Sequence, residues 1–276
     1  MPDSIPAGLQ PRPAPRHPQA GESPAPDDFI LETRGLGKQF KGFAAVCDVN
    51  LKVRRGTIHA VIGPNGAGKT TTFNLLTKFL QPSSGTILFN GRDITRDSAV
   101  QIARQGVVRS FQISAVFPKL TVLENVRVAL QRKAGLATQF WRSEKSLRVL
   151  DDTAMRLLGE VDLQGFADTA TVHLAYGRKR ALEIATTLAM EPELMLLDEP
   201  TAGMGHEDID TVTALIRKVA AQRTIVMVEH NLGVVSTLSD TITVMQRGSV
   251  LAEGPYEEVS RNPAVLEAYV GTQTDD

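Results

Sequence analysis

Gly63-Pro64-Asn65-Gly66-Ala67-Gly68-Lys69-Thr70 decides how this sequence is read. It matches the spacing G-x-x-x-x-G-K-[ST]. The apolar run Ile58 to Ile62 precedes it, and a helical pattern from Gly68 to about Lys78 follows. That strand–loop–helix order is the setting a phosphate-binding loop needs. Glycines let backbone N–H groups turn inward around phosphate oxygens. The following helix N-terminus adds roughly half a positive charge. In this reading Pro64, Asn65, Ala67 and Thr71 line the loop with Gly63, Gly66 and Gly68. Lys69 reaches the β- and γ-phosphates as a point charge, and the Thr70 hydroxyl coordinates Mg²⁺. The bland alternative is a glycine-rich turn without a ligand.

Further along, Leu194-Met-Leu-Leu-Asp198-Glu199-Pro200 is an apolar strand ending in two acids. Ligands of open α/β sheets bind beyond the carboxyl ends of strands. Neighbouring strand residues point to opposite sides, so the acids need not share a role: Asp198 is expected to support Mg²⁺ and its water shell, Glu199 to polarise an attacking water as general base. Alone, the pair reads equally as a solvated strand end with a capping acid. His230 follows the apolar strand Thr224 to Val228, where an imidazole can donate to a γ-phosphate or the catalytic water. Gln112 follows Val107-Val-Arg-Ser-Phe111, where its carbonyl can ligate Mg²⁺ or orient water. A lone histidine or glutamine at a strand end is more often structural, so both draw their weight from order and spacing.

The surrounding pattern predicts an α/β fold. Val49, Leu51 and Val53 alternate with Asn50 and Lys52 as in a half-buried strand, and Asn90-Gly91 after Ile87-Leu88-Phe89 predicts a hairpin turn. From about Thr121 to Thr171 the pattern is helical, with Leu147, Leu150, Ala154, Leu157, Leu158 and Val161 on one face. Strands at Leu194–Leu197, Thr224–Val228 and Ile242–Met245 then alternate with an amphipathic helix through Ile209, Val212, Leu215, Ile216 and Val219, which implies a parallel sheet flanked by helices.

Composition narrows the function. The 276 residues are 42% hydrophobic, and 30 basic residues oppose 31 acidic ones. That balance argues against a dedicated nucleic-acid binder. One cysteine, Cys47, excludes an internal disulfide framework and is read as packing. No apolar run approaches the roughly 18 residues of a spanning helix, so work at a membrane would need partners. Residues 1–28 hold eight of the 15 prolines, cannot build a helix or sheet, and read as a disordered tail. Arg178-Lys179-Arg180 is expected on a solvated or interface face. Phe140 and Trp141, among charged residues, read as an interface contact or as packing between helices. Asn262-Pro263 predicts a last short helix, Ala264 to Val270.

The order of motifs — P-loop, Gln112, Leu174-Ala-Tyr-Gly-Arg178, acidic strand, His230 — resembles the ABC-type ATPase family over about Phe29 to Gly254. The resemblance implies an α/β P-loop NTPase fold of the ABC ATPase type, with a mixed-sheet core, an antiparallel β subdomain and a helical subdomain at about 113–175. Residues 255–276 form a C-terminal extension. Phe40 stands where the family places a ring that stacks on adenine; its bland reading is core packing. The family's LSGGQ segment reads Leu174-Ala175-Tyr176-Gly177-Arg178 here, before a helix from about Arg178 to Met190. In a head-to-tail dimer Leu174, Ala175, Tyr176 and Gly177 would meet the partner's nucleotide. Two positions depart from the family: its signature Ser is Ala175, and the aspartate after the second acid is Gly205. The lost hydroxyl implies a penalty of about 1.5–3 kcal/mol at the partner's nucleotide.

Within the family the likeness runs to ATP-binding subunits of branched-chain amino acid importers. It is carried by Thr72-Phe-Asn-Leu-Leu-Thr77, Val108-Arg-Ser-Phe-Gln112, Leu174 to Ala185, and the ending Glu257 to Gly271. It implies ATP and Mg²⁺ as ligands, integral membrane permeases and a second ATPase subunit as partners, and, indirectly, an extracytoplasmic substrate-binding protein. The implied location is peripheral, at the cytoplasmic face of a bacterial inner membrane. Urea and short-amide importers are similar enough to stay open. Two other readings are a soluble ABC ATPase acting on DNA or ribosomes, disfavoured by the single P-loop and the lack of heptads, and a nucleotide-gated assembly module, disfavoured by Glu199.

Overall fold

The computed structural model describes residues 28–110, 116–133 and 150–270. The proline-rich tail through residue 27, Gln112, Phe140, Trp141 and Leu147 lie outside these residues.

The first half of the chain builds an antiparallel sheet around one long strand. β1 (Phe29–Phe40) is bordered by β2 (Phe43–Val49), by β3 (Lys52–Arg54) and by β5 (Ser84–Phe89), which pairs with β6 (Arg92–Asp93). Asn90 (φ 50°) and Gly91 (φ 73°) make the expected β5–β6 turn in the left-handed backbone that a two-residue hairpin needs. The expected single strand through Val49, Leu51 and Val53 is two strands. All three side chains are buried, but β2 ends at Val49 and β3 begins at Lys52, with Asn50 and Leu51 outside both strands. Alternation reports burial, and burial survives a break between strands.

The second sheet runs in the order β11 (Ser249–Gly254), β10 (Thr241–Gln246), β4 (Ile58–Ile62), β9 (Thr224–Val228), β8 (Leu194–Asp198), β7 (Val107–Ser110). All neighbours are parallel except β10 and β11. Every residue of β4, β8 and β9 is buried, which explains their unbroken apolar runs. The sheet divides two cores by strand parity. Ile58, Ala60, Ile62, Met195, Leu197, Ile225 and Met227 face one core. Val61, Leu194, Leu196, Val226 and Val228 face the other, with the antiparallel sheet.

The helices are α1 (Lys69–Leu76), α2 (Ala99–Arg104), α3 (Val122–Lys133), α4 (Asp151–Glu160), α5 (Tyr176–Leu188), α6 (His206–Ala220), α7 (Leu232–Leu238), α8 (Tyr256–Val259) and α9 (Pro263–Val270). Phe73, Leu75 and Leu76 of α1 pack into the second core; α3, α4, α5 and α6 pack into the first. Ala154, Leu157 and Leu158 form the buried face of α4, as their spacing predicts. α9 begins at Pro263, with the Ala264 N–H donating to Asn262 Oδ1 at 3.0 Å. Its Val265 and Ala268 are buried, and Tyr269 packs against the first core with its hydroxyl hydrogen-bonded to the Gly63 backbone.

Two expectations around α5 need correction. The helix starts at Tyr176, two residues earlier than expected, because glycine at position 177 weakens the propensity signal without stopping the helix. Arg180 is not on a solvated face: it is 8% exposed, with Nη1 donating to Glu183 at 2.6 Å and Nη2 to the Asp198 carbonyl at 3.4 Å. A run of three basic residues cannot share one helix face, because each step turns the helix by about 100°.

Candidate active site

Strand order assembles the site. β4, β9, β8 and β7 are neighbours and parallel, so their carboxyl ends share one edge of the sheet, where the P-loop, His230 and the Asp198–Glu199 pair follow β4, β9 and β8 and Ser110 ends β7. Asp198 is in register with Val228, which sets the acids two residues along from the His230 turn.

The P-loop conformation depends on glycine at two places. Gly63 has φ 146°, and a Cβ there would lie 2.2 Å from the Met245 carbonyl oxygen. Gly68, the N-cap of α1, has φ 98°, and a Cβ would lie 2.7 Å from the Ala45 carbonyl oxygen. Pro64 and Lys69 are half-buried, Asn65, Gly66 and Thr70 exposed, and Ala67 buried under the loop. Thr71 is half-buried on the first turn of α1. Lys69 Nζ donates to the carbonyls of Gly63 at 2.6 Å and Pro64 at 2.9 Å, so the ammonium lies across the loop. Burial pushes its pKa below the ordinary lysine value; the Glu199 carboxylate works against that.

Two backbone hydrogen bonds, Gly248 N–H to Ala67 O at 2.9 Å and Cys47 N–H to Gly248 O at 2.8 Å, tie β2 to the loop. Phe40, where β1 turns into β2, is 42% exposed, and the Lys38 ammonium sits 5.2 Å from its ring centre. It is not a core residue, so core packing does not account for it.

At the end of β8 the two acids part. Asp198 is 2% exposed and pairs with Arg109 of β7. Arg109 also donates to Asn74 Oδ1 of α1 at 2.7 Å, and its guanidinium lies within 6 Å of the Phe73 and Phe79 ring centres. Glu199 sits in left-handed backbone, φ 44°, which costs a non-glycine residue on the order of 1 kcal/mol. Its N–H donates to Val228 O at 2.9 Å, and its carbonyl accepts from Ala202 at 3.1 Å. Its half-buried side chain is near enough to Lys69 for the carboxylate to favour the charged ammonium. His230, its side chain 64% exposed, is held on the β9–α7 turn.

Leu174–Gly177 sits beside the loop that follows Glu199. Leu174 is buried and Ala175 is the N-cap of α5. The Tyr176 hydroxyl donates to the Ala202 carbonyl at 3.4 Å, and a Cβ on Gly177 would meet Asp208 of α6 at 2.6 Å. An open cleft of about 610 Å³, bordered by Ala175, Gly177, Arg178 and Asp208, runs along this face. Gly205 is the N-cap of α6. Both positions that depart from the family pattern are therefore helix N-caps, and neither supplies a side-chain oxygen.

A phosphate chain fits this edge: glycine-dependent backbone, a helix N-terminus and Lys69 converge there. Mg²⁺ fits as well, since Thr70 and Asp198 are hard oxygen donors. Among the described residues no group of three or more His, Cys, Asp or Glu could hold a metal by itself. Sequence reasoning passed over Arg109, Asn74, Thr201 and Glu229. For Arg109 and Glu229 a signal existed, a charge set in or at the end of an apolar strand, where burial demands a partner.

The sequence model of the ABC transporter family matches residues 46–202, and that of the branched-chain amino acid ATP-binding cassette transporter matches residues 249–275. The chain is 42% identical over 252 residues to the high-affinity branched-chain amino acid transport ATP-binding protein BraF of Pseudomonas aeruginosa, covering 88% of this chain and 98% of the relative. It is 39% identical over 249 residues to LivG of Escherichia coli, with coverage of 88% and 98%. Among solved structures, an ATP-binding cassette of an ABC transporter in its ADP conformation superposes with TM-score 0.77 at 29% identity, over 88% of this chain and 99% of that one. A nucleotide-free cassette gives 0.76 at 27%, over 87% and 98%. The chain belongs to the ABC transporter family, as one of its ATP-binding, ATP-hydrolysing subunits.

Proposed function

We propose that this chain is the ATPase motor of an importer for branched-chain amino acids. The observation that carries the substrate class is the match of residues 249–275 to the branched-chain cassette family, together with near full-length relatives named for that transport. Among the described residues no helix is long and apolar enough to cross a membrane, so in this reading the pathway belongs to integral permease subunits. A second ATPase subunit completes the nucleotide sites, and an extracytoplasmic binding protein delivers cargo. The chain sits peripherally on the cytoplasmic face. Residues 29–254 form the ATPase domain, with the helical subdomain at about 113–175, preceded by the tail through 28 and followed by the extension 255–276.

In the reaction, Gly63–Thr71 wrap the phosphates, Lys69 swings from the loop carbonyls to the β- and γ-phosphates, and Phe40 stacks on the adenine. Mg²⁺, when bound, neutralises charge on the terminal phosphates; Thr70, Asp198 and Gln112 are its protein-side ligands or water-holders. Glu199 takes the proton of the attacking water, and His230 donates toward the γ-phosphate. Leu174–Gly177 closes on the partner subunit's nucleotide.

Mass spectrometry of the intact complex from native membranes tests the transport reading. Two permease chains with a second ATPase are expected. The chain alone, or with ribosomal or DNA-bound partners, would overturn it; a permease set with urea or short-amide transport would replace the cargo. Within the site, Glu199→Gln is expected to lower turnover by roughly 10²–10⁴-fold while leaving ATP binding intact. Wild-type turnover in that variant would remove Glu199 from its role.

A further inference from the structure

Glu229 closes β9 one residue before His230, and its side chain is wholly buried. Its two carboxylate oxygens serve two different segments. Oε1 accepts the backbone N–H of Thr201 at 3.2 Å and the Thr201 hydroxyl. Oε2 accepts the backbone N–H groups of His230 at 2.8 Å and Asn231 at 3.3 Å, and lies 3.6 Å from His230 Nδ1. A carboxylate taken out of water is tolerated only while its lone pairs are met, so the Thr201 segment and the His230 turn must hold a common position. The backbone bond from Glu199 N–H to Val228 O, at 2.9 Å, runs alongside. The turn is stiffened from its far side by Asn231, whose Oδ1 caps α7 at Gly233 and Val234. Past Thr201 the path continues, since the Ala202 carbonyl accepts the Tyr176 hydroxyl at the start of α5.

We propose that Glu229 is a positioning residue that ties His230 to the Thr201–Gly205 loop, so that the imidazole at this chain's own nucleotide and the Tyr176 end of α5 shift as one unit. The inference rests on the assignment of His230 given above. The geometry explains why a carboxylate is required. A glutamine of the same shape has one accepting atom and one NH₂ group. Whichever way it turns, either the Thr201 donors or the His230 and Asn231 N–H groups face another donor.

The test compares the purified complex carrying the unaltered chain with complexes carrying Glu229→Gln, Thr201→Val or the double variant, using MgATP turnover and equilibrium ATP binding. Glu229→Gln is expected to lower kcat by roughly 10- to 100-fold while ATP affinity stays within about threefold, because the P-loop makes no use of this carboxylate. Thr201→Val, which removes only the hydroxyl, is expected to lose less, and the double variant no more than Glu229→Gln alone. A residue needed only for folding would lower affinity and kcat together, and that outcome overturns the proposal, as does wild-type kcat in Glu229→Gln. If Glu229→Gln does not fold, Thr201→Val decides: reduced kcat at unchanged affinity supports the tie, and wild-type kcat removes it. Failure of the underlying ATPase assignment looks different, because the assembled complex with the unaltered chain would then not turn over ATP.

Discussion

Position 175 opens α5 in extended backbone, and the first-turn N–H groups receive no side-chain oxygen from it. A serine there would accept one of them, and that exchange is typically worth ~1 kcal/mol. Ala175→Ser should therefore raise the melting temperature by roughly 2–4 °C in a domain of this size. Thermal unfolding of the full chain checks this, and an unchanged midpoint would show that the helix end is already satisfied by solvent. The departure at 175 is legible in the sequence as a missing hydroxyl, but its place as an N-cap is not, because Gly177 in the first turn hides the helix start. Arg180 teaches the same lesson. Its position in a basic run suggested solvent, whereas a turn of helix carries it inward to Glu183 and the Asp198 carbonyl. Residue type reports preference; neighbours in space decide exposure.

At the scale of elements, β4, β10 and β11 share a polar chain that runs from the buried His59 and Thr243 to the partly exposed Glu253. His59 Nε2 lies 2.7 Å from Thr243 Oγ1, and the Thr243 hydroxyl donates to Glu253 at 2.6 Å. Burial pushes the His59 pKa from 6.5 down to about 4. The unfolded chain therefore takes up a proton between these values where the folded chain does not. The stability this histidine contributes is complete above pH 6.5 and is lost as the pH falls toward 4, by an amount on the order of 3 kcal/mol. Burial raises the Glu253 pKa, with Thr243 and Lys52 opposing, and its slope runs the other way: stability declines as the pH rises through its carboxylate range. Comparison with His59→Gln isolates the histidine. Between pH 7 and pH 4 the wild type should lose more stability to denaturant than the variant, and equal losses would assign the pH dependence elsewhere. The strands themselves were readable from their apolar runs. The polar chain was not, since it needs the β10–β4 register that pairs Thr243 with Val61 and sets His59 beside Thr241.

Across the whole molecule, the last described helix returns to the first motif. α9 docks Val265 and Ala268 into the protein and brings the Tyr269 hydroxyl to the Gly63 backbone, at the point where the P-loop backbone is most constrained. One such hydrogen bond is worth about 0.5–1.5 kcal/mol. Tyr269→Phe should weaken equilibrium ATP binding by roughly two- to tenfold, with the ring still filling its place in the core and the melting temperature little changed. Unaltered affinity would mean that the loop holds its shape without the extension. A segment at the chain's end thus bears on a motif some 200 residues before it.

The sequence by itself determined the α/β class, the P-loop with its strand and helix, the acidic strand end and the histidine after β9. Each is a local pattern: a glycine spacing, an apolar run, a polar residue where the run stops. The tertiary structure alone decided that β4, β9, β8 and β7 are neighbours, that Asp198 meets Arg109, that Glu199 stands in left-handed backbone, and that Glu229 spans Thr201 and His230. Those facts depend on strand order, register and burial. Sequence spacing does not encode them, because contacts between distant segments are chosen by which apolar faces close on one another and by which buried polar groups must then find partners.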